Sequence, residues 1–545
     1  MEHRGPLPDI EIPPVALYDL IFAGLTETDA ARVAFVHPET GATLTFGEVK
    51  QATDAVATWL AAHGIGTGDA VAIDLPNCPE YAAAFHGIAR TGAATSPVNP
   101  AAVASEIARQ LRETKASFVI TNQLLLPKVA EAAATAGLAP EAVIVLDPST
   151  GSGIDSTGSG IDAAHTAWAE LVATVPDLPE VSIEPATHIA CLPFSSGTSG
   201  MPKAVMLSHR NLVANLLQFN EVLLPLGEDN SIVAFLPYSH IYGMTTNLNY
   251  GLFRRFPQYT MSSFAPHAFL EIIAKYRPTI LFVVPPVAAF LAKHPGVTTV
   301  SWDSVRLIVS GAAPLDGPVG EAIQSRLDTR VVQGYGMTEL SPVTHVIPLD
   351  RRDIDLSTIG LAVPNVRFRV VDPESGLDVA VPAEGQSEPG ELWCTGPNAM
   401  LGYLGVPRDV DAVLDAGGWV HTGDLVTVDA EGVVRIVDRI KELIKRRGFQ
   451  VAPAELEALL CSHPAVADAG VLGLASAIAG EQIPHGLVQL REGAEVSGHE
   501  LTHWLAGQVA SYKRLGGVTF VEKVPRSAAG KILRRELPKL LPQLS

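Results

Sequence analysis

Residues 194–209 read FSSGTSGMPKAVMLSH, so Ser195, Ser196, Gly197, Thr198, Ser199, Gly200 and Lys203 follow directly on an apolar run. Glycines in such a loop let backbone N–H groups close on an anion, hydroxyls add donors, and the lysine adds charge. That combination suits a polyphosphate. A Walker loop demands GxxxxGK followed by Ser or Thr, whereas Lys203 follows Pro202 and precedes Ala204, which excludes it. Read for structure alone, the same residues are a turn leading into a helix cap.

Further residues with chemical capacity stand downstream, in QGYGMTE (333–339), GWVHTGDL (418–425), DRIKELIKRRGFQV (438–451) and PRSAAGKILRREL (525–537). Taken singly, each has a bland reading. Asp424 is a hairpin-turn aspartate, YGMTE a strand end running into a turn, and Lys531 a solvated side chain. His240 is a packed histidine, and Arg439, Lys441, Lys445, Arg446 and Arg447 form a charged exposed face. Taken in order across most of the chain, the stretches resemble the adenylate-forming superfamily of acyl-CoA synthetases, peptide-synthetase adenylation domains and luciferases. LPYSHIYGM (236–244), SGAAPL (310–315), QGYGMTELSPV (333–343) and KELIKRRGFQVAPAELE (441–457) look like the 4-coumarate:CoA ligase subgroup.

The resemblance implies an ATP- and Mg²⁺-dependent acid–CoA ligase that forms an acyl-AMP and then a thioester, on an aryl or cinnamic-type acid. Such chemistry must hold a triphosphate, offset its charge and align two anions in line. By the same likeness, residues 195–200 and Lys203 cradle the β- and γ-phosphates, Tyr335 stacks on adenine and Thr338 contacts the α-phosphate. Asp424 with Arg439 takes the ribose hydroxyls, and Glu339 with Thr198 ligates Mg²⁺, a hard cation that suits a carboxylate. Gly311, Ala312, Ala313, Gln333, Gly334 and Gly336 complete the nucleotide site. Lys531 matches a lysine that bridges carboxylate and α-phosphate, carried on a small domain that must close over the large one.

His240 matches a gate between acyl pocket and CoA tunnel. With Ile241, Tyr242, Thr246, Gly311, Gly336, Leu340, Pro342 and Val343 it outlines an acyl pocket, whose aromatic wall and glycine floor suit a flat acid. Lys441 matches the hinge position, Lys445 and Gln450 match polar residues of the subgroup's site, Gly448 and Phe449 match the pantetheine tunnel, and Arg447 is a candidate contact to CoA. The chain departs from the plant-type pattern with Leu340-Ser341 for Ala-Gly and with Ala204 for glycine. An amine or a carrier-protein thiol as acceptor, or a medium- or long-chain fatty acid as substrate, stays open.

These groups need a scaffold, and 545 residues are too many for one core. Runs such as AVAIDL (70–75), SFVITN (117–122), AVIVLD (142–147), TILFVVP (279–285) and VRLIVSG (305–311) predict strands buried on both faces. Helical spacing in ASEIARQLRET (104–114) and FLEIIAKYR (269–277) alternates with them, which argues for an α/β fold. The large N-terminal domain, 1–440, is expected to combine layered α/β subdomains with a small β-barrel from about 366. A mobile α+β C-terminal lid, 441–545, is expected to follow.

A formal net charge of −20 disfavours nucleic acid or an anionic membrane as partner. The opening MEHRGPLPDIEIPP has no apolar stretch of signal-peptide length, and LFVVPPVAAFLA (281–292) is too short to span a bilayer, so a cytoplasmic protein is expected. Cys78, Cys191, Cys394 and Cys461 show no metal-ligand or disulfide spacing. The tandem STGSGIDSTGSGID (149–162) reads as an exposed loop, and nothing in the sequence sets an oligomeric state.

Overall fold

The apolar runs become the parallel strands of two nine-stranded sheets. The structure, a computed structural model, describes residues 2–146, 164–195, 202–408, 413–446, 449–476, 481–527 and 530–541. The 149–162 repeat lies outside them. In the first sheet Ala94–Pro97, Ala70–Asp74, Ala116–Asn122 and Val143–Leu146 run side by side and parallel. The second sheet has Arg330–Gly336, Leu307–Ser310, Ile280–Val283, Ile232–Ala234 and Gln258–Thr260 in that order, again parallel. Helices cover the strands, so Val71, Ile73, Leu281, Phe282, Leu307 and Ile308 are completely buried, which is why these runs are apolar without alternation.

The helix Ala104–Thr114 has the expected bounds and buries Ile107, Ala108 and Leu111 on one face. The helix at 269–277 begins earlier, as Pro266–Tyr276, because a proline with its fixed φ suits the first helical turn. Two antiparallel elements matter most for the site. The hairpin of Phe194–Ser195 with Lys203–Ser208 sets Ser195 opposite Lys203. Ser208 then caps the helix His209–Leu223: its hydroxyl accepts from Asn211 N (3.2 Å), and Asn211 Oδ1 accepts from Ser208 N (2.9 Å).

The expected small barrel is present as an open half-barrel of five antiparallel strands, in the order His3–Arg4, Arg367–Val371, Gly390–Thr395, Val420–Val428 and Val434–Arg439. Beyond it, Val466–Ala475 and Gln482–Leu490 pair antiparallel, with Gly517–Phe520 parallel to the second. The helices Pro453–Ser462 and Gly498–Ala506 pack here around Leu456, Leu460, Val471, Val488, Leu501 and Leu505, a core separate from that of the large sheets. Among the described residues no helix is long and apolar enough to cross a membrane. The cysteines are free thiols, and LFVVPPVAAFLA divides into the strand Ile280–Val283 and the helix Pro285–Lys293.

One buried charge makes stability depend on pH. Asp74 is fully buried at the end of its strand, with no hydrogen-bond partner on either oxygen, and Lys128 Nζ stands 3.6 Å from Oδ2. Burial pushes its carboxyl up to about 6, against the opposing pull of Lys128. A folded-state value above the unfolded one makes a stabilising contribution that is complete below pH ~4 and is lost as pH rises through ~6. In urea melts, Asp74→Asn therefore gains on the parent by on the order of 2–3 kcal/mol between pH 4 and pH 8. Parallel curves for the two proteins would refute this.

Candidate active site

Ser195, Lys203 and Glu339 meet beside a residue the sequence reading passed over. Glu339, almost fully buried, accepts on Oε1 from Ser195 Oγ (2.7 Å) and from Tyr403 OH (2.7 Å), leaving Oε2 outside both bonds. The Tyr403 ring lies under the Lys203 ammonium, 5.0 Å from Nζ to the centroid. Gly402–Tyr403 pairs with Val205 and Met206, two and three residues past Lys203, which brings Tyr403 in. No charge marks Tyr403 in the sequence; the only signal is an aromatic residue after glycine, which many turns share. Ser196, Gly197, Thr198, Ser199 and Gly200 lie outside the described residues.

The residues expected at the nucleotide gather at the carboxyl ends of adjacent parallel strands, where ligands of α/β sheets bind. Arg330–Gly336 carries Gln333, Gly334, Tyr335 and Gly336, and Leu307–Ser310 runs out into Gly311, Ala312 and Ala313. Ala312 sits in the left-handed region at φ +69. Tyr335 OH donates to Asp424 Oδ2 (2.6 Å), while Arg439 Nε pairs with Oδ1 (2.8 Å). Burial and then the Asp424 carboxylate push the phenol up, so it stays a donor, and Asp424 in turn holds Arg439 charged. Gln333 faces inward: Leu315 N donates to its Oε1 (2.5 Å), and its Nε2 donates to the Leu356 and Thr358 carbonyls (3.1 and 2.7 Å). Its amide thus shapes the 312–316 turn. Thr338 is half-buried in the turn that carries Glu339.

The residues expected to line the acyl pocket are buried, apart from His240 and the half-buried Gly336. Tyr242 is buried, with its OH donating to Val309 O (3.0 Å) and its ring so close to Gly311 that a side-chain carbon there would lie 3.0 Å from Cζ. Ile241, Thr246, Leu340, Pro342 and Val343 are buried as well. Thr246 Oγ1 donates to Tyr242 O (2.8 Å). Ser341, where the plant-type pattern has glycine, holds φ +70 and donates from Oγ to Asn398 O (2.8 Å). His240 accepts from Tyr242 N on Nδ1 (3.2 Å), which in the neutral ring leaves Nε2 to carry the proton. His240 is exposed to water in the cleft yet surrounded by protein, and that enclosure, then the Lys531 charge, lowers its pKa to about 4, which favours the neutral ring.

Lys531 comes in on a hairpin. Arg526 bridges Ile532, donates to Gly530 O (2.7 Å), and clamps Asp468 through Nε (2.8 Å) and Nη2 (2.7 Å). Gly530, at φ +81, abuts the large unit so tightly that a side-chain carbon would lie 2.6 Å from Pro286 Cδ. The Lys531 side chain is open to water in the cleft yet surrounded by protein. That enclosure, then the charge of Arg439, lowers its pKa, while Asp424, Glu339 and Glu442 act in the opposite sense.

Lys441 and Arg439 line a cavity of about 290 Å³ with Glu391, Trp393 and Thr422. Lys445 is exposed on the strand Ile444–Arg446, away from the Glu339 cluster in hydrogen bonding: its N–H donates to Gln482 Oε1 (3.1 Å). Arg447 and Gly448 lie outside the described residues, as do the side chains of Phe449 and Gln450, whose backbone pairs with Lys445 and Arg446.

This geometry meets a match along the whole chain. Residues 25–404 fit the model of the AMP-binding enzyme family, and residues 455–531 fit that of the AMP-binding enzyme C-terminal domain. The chain belongs to the AMP-binding enzyme family. It is 36% identical to a 4-coumarate–CoA ligase of Oryza sativa subsp. japonica over 98% of this chain and 96% of that protein. To a probable 4-coumarate–CoA ligase of Dictyostelium discoideum it is 38% identical, over 92% and 91%. ATP-bound MatB from Rhodopseudomonas palustris has the same fold, with a TM-score of 0.85 at 26% identity over 96% of this chain and 98% of that one. Within its family, this protein is an ATP-dependent, AMP-forming acid–CoA ligase.

Proposed function

We propose that the protein joins an aryl or cinnamic-type carboxylic acid to CoA in two steps, with acyl-AMP as the intermediate. The observation that carries this reading is the convergence of Glu339, the Tyr335–Asp424–Arg439 chain and Lys531 on one strand-end cleft, with His240 and Tyr242 on its acyl side. In the first step carboxylate oxygen attacks the α-phosphorus and pyrophosphate leaves. Lys531 offsets the charge gathering on the α-phosphoryl oxygens, and Lys203 with Ser195 receives the departing phosphates. Asp424, fixed on both oxygens, takes the ribose. Neutral His240 offers its Nε2 proton to the acid's carboxylate without adding a competing charge. In the second step the CoA thiolate attacks the acyl carbon and AMP leaves.

Glu339 suits a magnesium ion: it is a buried carboxylate with one oxygen fixed by two hydroxyl donors and the other outside those bonds. Bound there, magnesium would neutralise triphosphate charge. The Tyr242 ring packed against Gly311 offers an aromatic wall, which supports a planar acid. We further place the division between catalytic domain and mobile lid at 440/441, and the enzyme in the cytoplasm, where free thiols, ATP and CoA coexist.

Pyrophosphate release from MgATP across cinnamic, benzoic and medium-chain fatty acids, with and without CoA, tests the reading when thioester is followed by mass. Turnover is expected with the aryl acids, together with acyl-CoA. Preference for fatty acids would overturn the substrate class, and acyl-AMP without thioester would overturn CoA as acceptor.

A further inference from the structure

We propose that Tyr403 is a positioning residue for the metal-binding carboxylate, its hydroxyl holding Glu339 and its ring holding Lys203 in the arrangement that receives metal and triphosphate together. This rests on the reading of Glu339 and Lys203 given above.

The physical problem is that an acid and a lysine serving one triphosphate have opposite charges. Left alone in an empty, partly dry site, they would pair with each other, since at low dielectric such attraction is strong. No ion pair joins Lys203 to Glu339 among the described residues, and Tyr403 stands between them. Its ring faces the ammonium at 5.0 Å, a contact that satisfies the cation without neutralising it. Its OH ends on Glu339 Oε1 at 2.7 Å, the oxygen that Ser195 also uses. Two donors on one oxygen fix the carboxylate's rotation and leave Oε2 outside both bonds.

Tyr403 can act this way because it is held on all sides: it is 1% exposed, and its strand is paired to the strand that carries Lys203 through Val205, Met206 and the Leu404 N to Ala204 O bond of 2.9 Å. The spacing between the loop lysine and the acid is therefore built in before any ligand arrives.

The test uses Mn²⁺ as probe, its binding to the full-length enzyme read from the EPR signal in the presence of a non-hydrolysable ATP analogue. Tyr403→Phe keeps the ring and removes the hydroxyl. It is expected to weaken Mn²⁺ binding about 10-fold, the scale for losing a partner behind a metal ligand, while the KM for the acid stays as in the parent. Ser195→Ala, which removes the other donor from a less buried position, is expected to shift Mn²⁺ in the same direction. Tyr403→Leu should also weaken the metal-free nucleotide, through Lys203. A purely structural tyrosine would lower the melting temperature and leave the metal affinity of the folded enzyme alone. If Glu339→Gln weakens Mn²⁺ and neither Tyr403→Phe nor Ser195→Ala does, the positioning role is wrong and the site reading survives. If Glu339→Gln itself has no effect, the carboxylate is not the metal ligand and both fall.

Discussion

Lys531→Ala is expected to lower acyl-AMP formation by about 10²–10³-fold, while acyl-AMP supplied directly is still converted to thioester at close to the parent rate. The size follows from removing one preorganised charge from where charge develops, which costs roughly 3–4 kcal/mol in comparable sites. The asymmetry follows from the hairpin. Arg526 ties Asp468 to the Gly530 carbonyl beside Lys531, and Gly530 sits against Pro286 with no room for a side chain. In this arrangement Lys531 feels Glu339, Asp424 and Arg439, all on the nucleotide side. Rapid-quench measurement of the two half-reactions separates the outcomes. Equal losses in both would mean that Lys531 serves the fold of the lid, or both steps, and not adenylation in particular.

The second large effect is on folding. Gly336→Ala would put a carbon 2.0 Å from Pro342 O and 2.6 Å from Pro342 C, and 3.1 Å from Val343 Cα. All three are backbone atoms, and the turn they belong to is tied by Met337 N donating to Pro342 O (3.1 Å), so nothing flexible can give way. We expect a loss of about 3 kcal/mol or more in denaturant unfolding. Gly334→Ala, two residues earlier on the same strand, is the control. Its nearest neighbours would be 3.6 Å away, and it should cost less than about 1 kcal/mol. Similar values for the two would show that the Gly336–Pro342 approach does not limit stability.

Much of this was legible in the sequence, for a physical reason. Strands buried on both faces must be apolar throughout, so the runs at 70–75, 117–122, 142–147, 279–285 and 305–311 declare themselves locally. Charged residues in polar stretches, such as Lys203, Glu339, Asp424, Arg439 and Lys531, also stand out. Pairings between distant segments do not. His3–Arg4 becomes the edge strand of the half-barrel through its register with Phe368 and Arg367, and the polar opening stretch carries no alternation that announces it. Tyr403 was missed on the same ground: its importance comes from meeting Lys203 and Glu339, two separate segments. Gln333 was expected at the nucleotide from its motif, and its amide is engaged by Leu315, Leu356 and Thr358, a use that only the packed turn discloses.

The seat of Gly530 on Pro286 also bears on how the docking of the C-terminal unit can be tuned. A contact made by a residue without a side chain, at φ +81, offers almost no acceptable replacement on the hairpin side. The opposite side is different: Pro285 and Pro286 open the helix Pro285–Lys293, where other residues are sterically admissible. Substitutions that strengthen or weaken this contact can therefore accumulate on the large unit alone, in a segment that among the described residues touches neither the Glu339 cluster nor the Tyr335–Asp424 pair by hydrogen bond. If the C-terminal unit moves as proposed, its docking on the large unit is adjustable without altering the lysine or the groups it serves.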